Sequence, residues 1–142
     1  MIDGGGDADV VTILDTFGDD DLLLTAGPNA GNLLTGSTIT PTEVISFVDL
    51  LTIDLLGSFG DVLTIDSSQL FNLSTTYSVV GTIQDELVIL GSNVADVITS
   101  DADTIFTAGA TIDFNPLLLG ELTIRTLDGD DNVTLTGLTM NA

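Results

Sequence analysis

The sequence has no cysteine, histidine, lysine or tryptophan, and its only basic side chain is Arg125. Each absence removes a class of chemistry. Without Cys and His there is no Ser-His-Asp or Cys-His nucleophile, no thiolate site and no imidazole ligand; without Lys there is no Schiff base. Disulfides are impossible, so stability has to come from packing, bound ions or association. With one cation in the chain, nothing can displace counterions from phosphates, and nucleic acid is excluded as a partner. An anionic membrane surface is disfavoured on the same ground. The longest uncharged stretch, 22–42, is broken by Pro28, Asn29, Asn32 and several Gly and Thr, so membrane insertion is not expected. Met1 to Gly6 offers neither a basic nor an apolar leader region, and no signal peptide is expected there.

Set against these absences are 22 acidic residues, a net charge of −21, and a hydrophobic content of 44% in 142 residues. Charged residues make up 16%, below the roughly 25% of an average domain. Disordered acidic tails are poor in Val, Ile and Leu, and this chain is not. It has the material for a core under a surface of one sign. The length suits one domain or a short array of repeats.

The apolar residues come in short β-branched runs: Val10–Leu14, Leu50–Ile53, Val62–Ile65, Leu87–Leu90, Leu122–Ile124 and Val133–Leu135. Gly, Asp and Asn break them every 8–12 residues or so, a spacing that predicts an all-β chain. Residues 42–56 have a helix-like start in the preceding Pro41 and in Glu43, but their Val-Ile-Ser-Phe-Val content favours a strand. No stable helix is expected.

Short words recur in the same order. Ile13-Leu14 with Asp20 returns 76 positions later as Ile89-Leu90 with Asp96. Gly36-Ser37-Thr38-Ile39 matches Gly109-Ala110-Thr111-Ile112 at 73, and Leu51-Thr52-Ile53 matches Leu122-Thr123-Ile124 at 71. Asp61-Val62-Leu63-Thr64-Ile65 matches Asp131-Asn132-Val133-Thr134-Leu135 at 70. The falling offset is that of a second copy with shortened loops. It implies two imperfect repeats, roughly 5–67 and 84–138, joined by the Ser/Thr/Asn-rich 68–83 within a single all-β unit 1–142. A parallel β-solenoid suits such repeats, with an antiparallel β-sandwich as the alternative. The Leu-Leu-Leu and Val-Val runs and the scarcity of aromatics (six Phe, one Tyr) favour the solenoid.

Eight of the nineteen Asp fall in three clusters: Asp7 and Asp9; Asp19, Asp20 and Asp21; and Asp128, Asp130 and Asp131. Each cluster sits in a Gly-bent turn just before a strand. Carboxylates held that close repel, and a hard divalent cation such as Ca²⁺, which takes six to eight oxygens from carboxylates and turn carbonyls, relieves the conflict. The plain alternative is that Asp and Gly make turns and keep the surface soluble.

Gly18-Asp20-Leu22 and Gly129-Asp131-Val133 have the form Gly-x-Asp-x-aliphatic, which resembles half of the nonapeptide of RTX, or haemolysin-type, calcium-binding β-rolls. That resemblance covers about a fifth of the chain and implies Ca²⁺ held between successive coils. Asp7 departs from the pattern, standing where a glycine belongs, and the motifs occur singly rather than in tandem. In texture the chain is also similar to the Asp/Gly/Thr-rich repeat regions of large secreted bacterial surface proteins and adhesins.

The expected function is therefore that of a non-enzymatic structural or adhesive module, extracellular or at a cell surface. Ca²⁺ is the cofactor expected to stabilise it, and the expected partner is a second copy or a neighbouring repeat stacked end to end, as in a homo-oligomer or fibre. Two alternatives remain open at this level. Twenty-one Thr, with Thr-x-Thr at Thr38-Thr40 and Thr134-Thr136, suggest an ice- or lattice-binding face. Paired Asp101 and Asp103, or Asp130 and Asp131, suggest a carbohydrate-active β-helix, although one turn is a poor place for two carboxylates that must flank a sugar bond. Asn72-Leu73-Ser74 and Asn132-Val133-Thr134 fit the glycosylation sequon but are too short to weigh. Arg125 falls opposite Ile124 on its strand, a position for a weak surface ion pair.

Overall fold

The β-branched runs pay little entropy to extend, and they build strands wherever Asp, Gly or Asn lets the chain turn between them. A computed structural model describes residues 2–3, 10–14, 21–26, 32–36, 41–46, 50–55, 60–69 and 76–140. Fourteen strands lie in these segments. They are β1 (Ile2–Asp3), β2 (Val10–Leu14), β3 (Asp21–Ala26), β4 (Asn32–Gly36), β5 (Pro41–Ser46), β6 (Leu50–Asp54) and β7 (Val62–Asp66), then β8 (Thr76–Val80), β9 (Glu86–Leu90), β10 (Val97–Ser100), β11 (Thr104–Phe106), β12 (Thr111–Phe114), β13 (Glu121–Arg125) and β14 (Asn132–Thr134). The one helical element among the described residues is a 3-10 turn at Ser67–Gln69. Of residues 42–56, 42–46 lie in β5 and 50–54 in β6, strands as their composition predicts, while 47–49 and 56 lie outside the described residues.

The strands form two seven-stranded sheets, β1-β5-β4-β3-β7-β9-β13 and β14-β10-β11-β12-β8-β6-β2. Eight of the twelve pairings among the described residues are parallel. The antiparallel ones are confined to two excursions, β3-β4-β5 and β10-β11-β12. From β6 to β9 the chain alternates between sheets, so each parallel neighbour is reached through a strand of the opposite sheet.

Register carries the core. In the first sheet Leu22, Leu63, Leu87 and Leu122 stand in one file, and Leu24, Ile65, Ile89 and Ile124 in the next. In the second, Leu51, Tyr77 and Ile112 form one file, and Ile13, Ile53, Val79 and Phe114 the other. The two sets belong to a single hydrophobic cluster. Stacking like on like lets one side-chain shape repeat along the core, and each fully buried aliphatic contributes about 1.5–3 kcal/mol. β7, β8 and β12 alternate buried and part-exposed positions, while the middle of β9 is buried on both faces. Burial is complete in the middle of the files and incomplete at their ends. Leu63, Ile65, Leu87 and Ile89 are at most 1% exposed, whereas Ile13, Leu22, Leu122 and Ile124 are only half-buried.

The segment 68–83 holds one of the central strands, β8, and its Tyr77 is wholly buried. The Tyr77 hydroxyl has no hydrogen-bond partner among the described residues. A buried, unsatisfied hydroxyl costs stability, and burial pushes the phenol well above its usual value of about 10. Because the fold favours the neutral form, the unfolded chain ionises first. The stability this provides is complete below pH 10 or so and falls above it, by up to about 1.4 kcal/mol per pH unit. Tyr77 is the only tyrosine and there is no lysine, so tyrosinate absorbance should follow alkaline unfolding directly. Tyr77→Phe is expected to raise stability in urea by about 1 kcal/mol at neutral pH and to flatten the alkaline loss. A destabilised variant would mean that the hydroxyl has a partner.

Candidate functional site at the aspartate corners

A single Asp stands just before several strands, and register stacks these residues on one another. Val62 lies opposite Glu86, which sets Asp61 over Asp85 at the corners leading into β7 and β9. Both are about 1% exposed. Asp85 Oδ1 accepts the Asp61 N–H at 3.1 Å, and Oδ2 accepts the Thr82 N–H at 2.5 Å. The Glu86 N–H donates to the Asp61 carbonyl at 2.8 Å, and the Asp85 carbonyl accepts from Gly120 and Glu121, each at 3.1 Å. A carboxylate that gathers backbone N–H groups in this way tolerates burial. The next corner, before β13, carries Gly120, where a side chain would run into the Ile83 carbonyl.

The same bonds recur on the other sheet. The Asp96 N–H donates to Asp131 Oδ1 at 3.0 Å, and the Asn132 N–H to the Asp96 carbonyl at 2.8 Å. The Asp96 carboxylate closes its own turn, accepting the Ser92 N–H at 2.6 Å and the Ser92 hydroxyl at 2.9 Å. Just ahead of Asp131, Gly129 has φ +141°, and a Cβ there would lie 2.7 Å from the Val94 carbonyl group. Only glycine lets these two turns stack so closely.

Of the eight acidic residues picked out by clustering, Asp7, Asp9, Asp19 and Asp20 lie outside the described residues. Asp21 opens β3 and is exposed, opposite Val62. Asp128 and Asp130 are exposed in the turn before β14, while Asp131 is half-buried against Asp96. The fold thus brings Asp131 to a backbone N–H of the neighbouring turn. Among the described residues no three acidic side chains gather at a point where they could hold a cation. Clustering missed the residues the corners use most, Asp61, Asp85 and Asp96. Asp61 and Asp96 are marked in the sequence by a single Asp directly before an aliphatic strand, Asp61-Val62-Leu63 and Asp96-Val97-Ile98, whereas Asp85 precedes Glu86.

A shallow cleft of about 290 Å³ opens at the Asp85 corner, with Gln84, Glu86 and Glu121 on its walls. Asp101 and Asp103 are exposed in the turn between β10 and β11, where the Asp103 carbonyl accepts the Phe114 N–H. On the outer face of the second sheet, Thr12, Thr52, Ser78 and Asp113 share a file, so threonine does not run the length of it. Arg125 is exposed at the end of β13, and its carbonyl accepts the Gly91 N–H at 2.7 Å. Comparison with protein-family models, with curated proteins and with solved structures finds no match to this chain.

Proposed function

We propose that the chain is a non-enzymatic structural module, a parallel β-solenoid from a repeat protein that works outside the cell or on its surface. The observation that carries this reading is the in-register parallel stacking in both sheets, with the Asp85 and Asp131 carboxylates each taking a backbone N–H of the neighbouring turn. The acidic side chains at the corners accept backbone N–H groups, which is work that holds a scaffold together. A chain without cysteine or histidine, coated in carboxylates, also suits a secreted scaffold better than a catalyst.

Calcium stabilisation is a second reading. It is favoured by the net charge of −21 and by the positive-φ glycine beside Asp128, Asp130 and Asp131, a turn of the kind the RTX resemblance implies. Thermal melting followed by circular dichroism, in EDTA and then in millimolar CaCl₂, tests both parts. On the calcium reading, CaCl₂ raises Tm by roughly 5 °C or more, beyond NaCl of equal ionic strength. An equal effect of NaCl reduces the ion's role to screening and removes calcium while leaving the scaffold. A disordered spectrum in every condition overturns the scaffold itself.

A further inference from the structure

The pairings β1·β5, β3·β4, β4·β5, β2·β6 and β3·β7 have counterparts seven strands later: β8·β12, β10·β11, β11·β12, β9·β13 and β10·β14. In every case the parallel or antiparallel sense is the same. Among the described residues two further pairings remain, and both join the first seven strands to the second: β6·β8 and β7·β9, each parallel. Moved on by seven strands, that junction requires β13 and β14 to receive the first and second strands of a further seven.

β13 and β14 are placed to do so. Each is the last described strand of its sheet at one end, and β1 and β2 are the last at the other. Glu121 N–H and Arg125 C=O bond on the β9 side, so by alternation the backbone groups of Leu122 and Ile124 face the free side. Asn132 N–H bonds to Asp96, which likewise turns the backbone of Val133 outward. The side chains agree. Leu122 and Ile124 end their files half-covered, Val133 and Leu135 are 42% and 47% exposed, and at the opposite end Val10 and Leu14 on β2 are 66% and 62% exposed.

We infer that the end formed by β13 and β14 binds a second copy of this chain, head to tail. The partner copy's β1 adds in parallel to β13 and its β2 to β14, repeating the β6·β8 and β7·β9 junction. The inference rests on the scaffold reading and names its partner. The contact is heterologous and leaves the same two edges free on the added copy, so it propagates into a filament. Each copy adds seven strands to each sheet, giving an axial repeat of about 34 Å at about 4.8 Å per strand.

Sedimentation velocity and negative-stain microscopy of the whole chain provide the test, in about 1 M NaCl, where the screening length of about 3 Å suppresses repulsion between copies. Concentration-dependent growth into filaments with the 34 Å repeat is expected. Val133→Pro, which removes an edge-facing N–H at an exposed position, should hold the chain to single copies with its melting curve nearly unchanged. Ile124→Pro serves as a second variant on the other edge, with its fold checked by circular dichroism. A wild-type chain that stays monomeric at every concentration yet melts cooperatively overturns the head-to-tail contact and leaves the scaffold standing. Filaments that form equally well from both proline variants also overturn it. A chain with no cooperative β-sheet melt overturns the scaffold reading.

Discussion

Leu87→Ala is expected to cost about 3–5 kcal/mol, a large share of the 5–15 kcal/mol that holds a typical domain together. Leu87 is fully buried between Leu63 and Leu122, in the middle of a file where each aliphatic touches its like on both sides. Truncation removes the transfer energy of the lost groups and leaves a gap that neighbours fixed by the strand ladders cannot close. Urea unfolding followed by circular dichroism should show the midpoint falling with little change in slope. The informative comparison is Leu122→Ala. Leu122 ends the same file half-buried, so the same truncation should cost about half as much. Equal losses at the two positions would contradict the stacking order.

Asp85→Asn is expected to cost about 2–3 kcal/mol although it hardly changes shape. The Asp85 carboxylate presents one oxygen to the Asp61 N–H and the other to the Thr82 N–H. An amide has only one acceptor oxygen, so its NH₂ must face one of those donors, and a buried N–H loses its partner. Asp128→Asn, at an exposed position in its turn, should stay within about 0.5 kcal/mol of the parent chain. A corner variant as mild as the exposed one would show that the aspartates do not tie the turns together.

These two residues also mark what could be read from the sequence. Leu87 could be, because a β-branched run between turn residues announces a buried strand. Val10–Leu14, Leu50–Ile53, Val62–Ile65, Leu87–Leu90 and Leu122–Ile124 all lie in strands. β8 was hidden because Thr76, Tyr77 and Ser78 read as polar linker, and burying the tyrosine depends on the strands that arrive on either side of it. Asp85 was hidden for a different reason. Crowding of acidic residues points to the turn 128–131, where Asp131 alone meets a neighbouring turn, whereas Asp85 lies outside the clusters and acquires its role from a neighbour 24 residues away. Strand content follows from local chemistry. The stacking of one turn on another is set by register, which no short window of sequence contains.

The direction of the hydrogen bonds has a mechanical consequence. Bonds between neighbouring strands run along the line in which the strands accumulate, so a pull applied between the two ends of the stack meets them one ladder at a time. Such a body yields as a zipper does, at low force and in steps, and each step releases the length of one turn. The turns differ in length because two of them carry antiparallel excursions, so the steps are unequal. Under load the strands are therefore expected to part from the ends of the stack inward, one ladder at a time.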